Sequence, residues 1–181
     1  MRHTTRAVLG LLALSFLPFT ALQPAAEAHG PTRQKVTEEI EIAAPPAAVW
    51  KLVGNFNGWA EWHPAVESST ATAGNAVDST RTLMLKGGGQ LIENIEAYDD
   101  AAMTLKYRAK DGGALPVTNY SSTIMVKPEG AGSKVVWRGA FYRGFPNNDP
   151  PPEQNDEAAI KAVTGVYQTG LAALKAKLEG K

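Results

Sequence analysis

The sequence predicts an α+β domain in which a seven-stranded, curved antiparallel sheet wraps around one long C-terminal helix, with two short helices after the first strand. Three observations predict it. Alternating or β-rich runs recur in seven segments. Short Gly- or Asp-rich connections separate the last six of these, which favours hairpins over crossovers. A long apolar stripe at helical spacing lies near the C-terminus and is the surface available to cover such a sheet.

From Gln34 to Ile42, Val36, Glu38, Ile40 and Ile42 face one way and Thr37, Glu39 and Glu41 the other, the pattern of a half-buried strand. Pro45 and Pro46 end it. Proline is tolerated in a first helical turn because its missing N–H would be unpaired there, so AAVWKLV is predicted to run as a short helix from Pro46 to Gly54. The following GNFNGWAEWHPAV forms a second short helical segment stopped by Pro64. Strands are predicted near Val66–Thr72, Ser79–Lys86, Gln90–Tyr98, Met103–Ala109, Val117–Lys127 and Lys134–Tyr142. After the turn-rich GFPNNDPPP comes the long helix, capped by Asn155 or Asp156. Its stripe is read as Ile160, Val163, Tyr167, Leu171, Leu174 and Leu178. One helix cannot fill a strongly curved sheet to its ends, so a pocket is expected beside the helix.

The N-terminal stretch belongs to another class of signal. Arg2, His3 and Arg6 precede the apolar run Ala7–Leu22, and Ala26-Glu27-Ala28 supplies a small-x-small cleavage site. Residues 1–28 are therefore expected to be a removed signal peptide and residues 29–181 a single domain, periplasmic or secreted. Pro18 within the run argues against a retained membrane anchor. With no Cys there can be no disulfide and no Cys-linked lipid. Of 18 basic and 18 acidic residues the leader takes two and one, leaving 16 and 17. A nearly neutral chain disfavours nucleic acid as a partner.

Several stretches carry a resemblance. IEIAAPPAAVWKLVGNFNGWAEWHPAV, STRTLMLKGGGQLIENIEAYD, SKVVWRGAF and the late helix resemble the polyketide cyclase/dehydrase branch of the START-like, or Bet v 1-like, superfamily (SRPBCC). The likeness implies a helix-grip fold. It also implies one of two activities, binding of a small apolar or amphipathic molecule or a cofactor-free cyclase or dehydrase reaction. The leader, the size, NYSST and FYRGFPNNDPPP are similar to the periplasmic MxaD-like methanol-oxidation accessory group, which implies a dehydrogenase or cytochrome partner.

In the resembled fold Trp59 and Trp62, three apart, would sit at the pocket entrance. Sealing of the core is the alternative reading for Trp59. His63, the one histidine beyond the first 29 residues, is a candidate for proton transfer, against a structural hydrogen bond. Glu93 shares a strand face with Leu91, Ile95 and Ala97 and is predicted to point inward, where a carboxylate is either a base or a buried anchor between strands. Tyr107, Tyr120, Trp137 and Phe141 are candidates for an aromatic ligand lining. Which tyrosine reaches inward is not fixed by the pattern.

Other signals are weaker. Gly87-Gly88-Gly89 lacks the following Lys and Ser/Thr of a phosphate loop and reads as a turn. Asp99-Asp100 reads as a turn rather than a glycosidase pair. With no Cys, no structural metal site is expected. Cleavage after Ala28 would expose His29 as an N-terminal copper chelator, with His63 the sole second ligand, but the rest of the chain resembles a different fold. PNNDPPPEQND reads as a cap or as a partner-facing ridge. No constellation has the spacing of nucleophilic or metal chemistry, so binding or accessory function without a cofactor is expected ahead of catalysis.

Overall fold

A computed structural model describes residues 30–180. The predicted leader, its cleavage near Ala28 and the copper reading of His29 fall outside the described residues. Seven strands form one antiparallel sheet in the order β1-β7-β6-β5-β4-β3-β2. They are β1 Gln34–Ile42, β2 Val66–Ala71, β3 Thr80–Leu85, β4 Gln90–Asp99, β5 Thr104–Ala109, β6 Val117–Glu129 and β7 Gly132–Arg143. Helix α1 spans Pro46–Val53 and helix α2 Asp156–Glu179. The sheet is a meander except that β1 returns to pair with β7, from Gln34↔Phe141 to Ile42↔Ser133.

Local chemistry accounts for the boundaries. Pro46 opens α1 and Gly54 closes it by donating its N–H to the Trp50 carbonyl at 2.8 Å. Asn155 caps α2 by accepting from the Ala158 N–H at 2.8 Å. Asp156 instead pairs with Arg143 at 3.1 Å. Glu129 pairs directly with Gly132. The β6–β7 hairpin is therefore tighter than PEGAGS suggests, because Gly130 adopts the left-handed φ of 54° that a two-residue turn requires. The second helical segment is a single 3-10 turn, Trp59–Glu61, in which the Trp59 carbonyl accepts from Trp62 and His63.

Helix α2 packs against β1 and β7 and buries Ala159, Val163, Tyr167, Gly170, Leu171 and Leu174. The stripe therefore begins at Ala159. Ile160 is 38% exposed, because a step of four residues back from Val163 stays closer to the buried face than a step of three. Both sheet edges are occupied by side chains. At β1, Lys175 donates to the Glu41 carbonyl and the Ala43 N–H donates to Glu179. At β2, the Ala71 N–H donates to Asn57 at 2.8 Å. Such contacts deny the edges to a foreign strand.

Two bulges matter for the site. One between Ile95 and Ala97 turns Ala97 outward, away from the face it was predicted to share with Glu93. The other lies between Thr118 and Ser121, with Asn119 at φ 49°.

Candidate functional site

The inward faces of β3, β4, β5, β6 and β7 meet α2 and the 3-10 turn in an aromatic core. Its centre is charged. On β3, Arg81 alternates with Leu83 and turns inward, and the register sets it directly opposite Glu93 on β4. Arg81 Nε lies 2.7 Å and Nη2 2.6 Å from Glu93 Oε2, with both side chains buried. Arg81 Nη1 donates to the Phe56 carbonyl at 3.1 Å. The guanidinium lies over the ring of Trp59 at 3.6 Å and that of Phe56 at 4.1 Å. Stacking of this kind suits the planar, weakly hydrated guanidinium and lowers the cost of burying it. GNFNGW thus supplies a carbonyl and two aromatic faces for an arginine on another strand.

His63 packs against α2. The Ala65 N–H donates to Nδ1 at 3.3 Å, which leaves the ring proton on Nε2, and Nε2 donates to the Val166 carbonyl at 3.1 Å. Burial, with a smaller contribution from the Arg81 charge, lowers the His63 pKa to about 4 against the partial opposition of the Val166 bond. The ring fits because residue 170 of α2 is glycine: a Cβ there would lie 2.6 Å from His63 Cδ2. A mid-helix glycine costs about 1 kcal/mol relative to alanine, and here it admits the imidazole.

A hydroxyl cluster completes the wall. Trp137 Nε1 donates to Ser122 Oγ at 2.9 Å and Tyr107 OH at 3.0 Å. Tyr167 OH is 2.8 Å from Ser122 Oγ and 2.7 Å from Tyr120 OH, and the Trp137 and Tyr167 rings stack at 4.3 Å. Burial first, and then neighbouring tyrosines, raises the pKa of Tyr107, Tyr120 and Tyr167 well above the ordinary phenol value. At neutral pH these hydroxyls are uncharged donors and acceptors.

Gly139 leaves the space that the Tyr167 hydroxyl occupies, since a Cβ at Gly139 would overlap it. Gly139→Ala is accordingly expected to cost about 1–3 kcal/mol through overpacking. Urea unfolding should show it as a lower midpoint with an unchanged slope.

The cavity enclosed here is small, about 50 Å³. Trp59, His63, Glu93, Tyr107, Tyr120 and Trp137 line it together with Ala65, Val66, Leu83, Leu85, Leu91, Leu115 and Val166. Six of the eight predicted ligand residues thus converge on one space, and both tyrosines reach inward. Trp62 and Phe141 do not line it. Phe141 packs beside Tyr120, with ring centroids 6.3 Å apart. The paired indoles are not at a rim: Trp59 and Trp62 are 3% and 4% exposed. They fill the space an open pocket would need, so the roomy hollow expected beside the helix is absent. The Trp62 N–H has no partner among the described residues. Glu93 has the anchor geometry rather than that of a free base. Both His63 nitrogens are engaged internally, which leaves neither for a metal.

Arg81, Ser122 and Tyr167 are site residues that the sequence reading did not single out. For Arg81 a signal existed, because it shares its strand face with Leu83 and Leu85 and sits opposite Glu93 across one hairpin. Asp100, read only as a turn residue, accepts from Trp50 Nε1 at 2.7 Å and from Tyr98 OH at 3.2 Å, tying α1 to the β4–β5 turn.

Residues 33–179 match the family model described as polyketide cyclase / dehydrase and lipid transport. No curated protein matches the sequence significantly. Among solved structures, XoxI of Bacillus cereus is 35% identical with a TM-score of 0.68, covering 80% of this chain and 94% of its own. An uncharacterised protein of Bacillus thuringiensis is also 35% identical with a TM-score of 0.68, covering 80% and 98%. The Zhui aromatase/cyclase of Streptomyces sp. R1128 is 17% identical with a TM-score of 0.67, covering 82% and 94%, and shows the fold alone.

Proposed function

The chain belongs to the polyketide cyclase / dehydrase and lipid transport family, whose SRPBCC-type fold binds hydrophobic ligands or acts as a cyclase, and from that premise we propose that it is an exported, non-catalytic binding protein. The ligand is a small apolar or amphipathic molecule, and the protein serves as an accessory factor to a periplasmic oxidoreductase such as methanol dehydrogenase. One observation carries the non-catalytic half. Each group able to move a proton is already engaged: Glu93 by Arg81, His63 by Ala65 and Val166, and the three tyrosines by one another, Ser122 and Trp137. The accessory half draws support from the likeness to the MxaD-like group and from the leader sequence.

The cavity volume constrains how binding occurs. Drug-sized ligands need about 300–1,000 Å³, so a ligand enters only if the wall gives way. The side nearest solvent is marked by the half-buried Leu85, Leu115 and Val166 and the exposed Ala65. There a 3.3 Å hydrogen bond from Ala114 N–H to the Gln90 carbonyl closes the β5–β6 loop onto β4.

Native mass spectrometry of the processed protein from its own periplasm tests the reading. The expected result is a small-molecule adduct or a co-purifying oxidoreductase, and re-adding the identified molecule should raise Tm by mass action. A bare polypeptide mass with no companion overturns it.

A further inference from the structure

The outer face of the sheet carries a depression that is separate from the interior cavity. It has a volume of about 250 Å³ and is lined by Lys35 and Thr37 of β1, Ser121 and Thr123 of β6, and Arg138 and Ala140 of β7. Two features create a dent where a pleated surface would otherwise be filled by side chains. The β6 bulge between Thr118 and Ser121 bends the strand beside it. Ala140, whose side chain faces outward, contributes only a methyl group.

The charges around the dent are unequal. Elsewhere on this face Lys106 and Arg108 share Glu96, and Lys134 lies near Glu41 and Glu129. Lys35 and Arg138 form no ion pair among the described residues, although the protein as a whole is neutral. Lys127 of β6, on the same face, is likewise without an ion pair among the described residues, and Glu39 of β1 lies diagonal to Arg138. Lys35 and Arg138 are nevertheless the two cations that line the dent with its three hydroxyls. We propose that this groove docks an extended acidic segment of a partner protein.

The register supports that occupant. Thr37 faces Arg138 and Lys35 faces Ala140, so the two cations are diagonal neighbours on adjacent strands, about 7–8 Å apart at the backbone. An extended chain rises about 3.3 Å per residue and sends alternate side chains the same way, so acids at positions i and i+2 are spaced to meet both cations. The side chains of Lys35 and Arg138 are also long enough to converge on one small anion, and the phosphate arm of the test separates that outcome from the extended segment. The proposal goes beyond the cavity reading and does not depend on it, since no residue of the groove lines the cavity.

The test is an NMR titration of the ¹⁵N-labelled processed protein with the capped peptide TETETET, its isomer ETTETTE, which has no two acids at i and i+2, and inorganic phosphate. TETETET should shift amides of β1, β6 and β7 around the groove and bind at least about fivefold more tightly than ETTETTE. Lys35→Ala and Arg138→Ala should each weaken it about fivefold, with further loss in salt. Both side chains are solvent-exposed, and circular dichroism confirms that each variant is folded. Lys127→Ala, on the same sheet face outside the groove, should change nothing. Equal binding of the two peptides overturns the proposal. So does indifference to both variants, or phosphate giving the same shifts at equal affinity, which would mark a free-anion site.

Discussion

Replacing Arg81 by Met is expected to lower the free energy of unfolding by about 3–5 kcal/mol, the cost of stranding a buried charge whose partner has been removed. Glu93 would remain 3% exposed with its nearest cation gone, and the faces of Trp59 and Phe56 would lose the guanidinium between them. Adding Glu93→Leu should recover at least about 2 kcal/mol, because an apolar pair of similar volume removes the desolvation penalty along with the attraction. Urea unfolding of wild type, the two single variants and the double variant measures this. A loss below about 1 kcal/mol in Arg81→Met would mean that the pair does not organise the core.

The second large effect is on pH. His63 titrates near 4 in the folded protein and near 6.5 when unfolded. Between those values the unfolded chain binds a proton that the native state refuses, so stability rises with pH across this window. The contribution is fully present above about pH 6.5 and is lost progressively as pH falls toward 4. Its size is roughly 3 kcal/mol. Glu96 complicates the acidic end. Lys106 and Arg108 hold its carboxyl below the usual range against the opposing effect of burial, and that stability too is lost as the group protonates. His63→Gln isolates the histidine. The difference in stability between wild type and variant should shrink by about 3 kcal/mol from pH 7 to pH 4, and a difference independent of pH would refute the assignment.

Much of the candidate site was legible in the chain. Glu93 declared its inward direction through Leu91 and Ile95, and the turn signals placed its strand. Trp137 and Phe141 declared theirs through Val135. What stayed hidden was the partner of each polar group. Arg81 and Glu93 meet because β3 and β4 pair in one register out of several that the GGG turn would allow. Tyr167 reaches Ser122 and Tyr120 because Gly139 leaves room on a strand not adjacent to it in sequence. Nothing local to His63 announced that its ring would rest against Gly170 of α2. The outward turn of Ala97 is similar, since a bulge depends on which residues the neighbouring strand offers.

By itself the sequence determined the order of elements, the antiparallel meander and the face that most residues present, because hydrophobic period, proline, glycine and capping residues act over a few positions. It also carried the family likeness. The tertiary structure alone decided how full the interior is. Whether a ring of aromatic side chains encloses a chamber or closes it depends on their mutual packing across distant strands, and here stacking and hydrogen bonding between Trp59, Trp137, Tyr107 and Tyr167 leave only a small void.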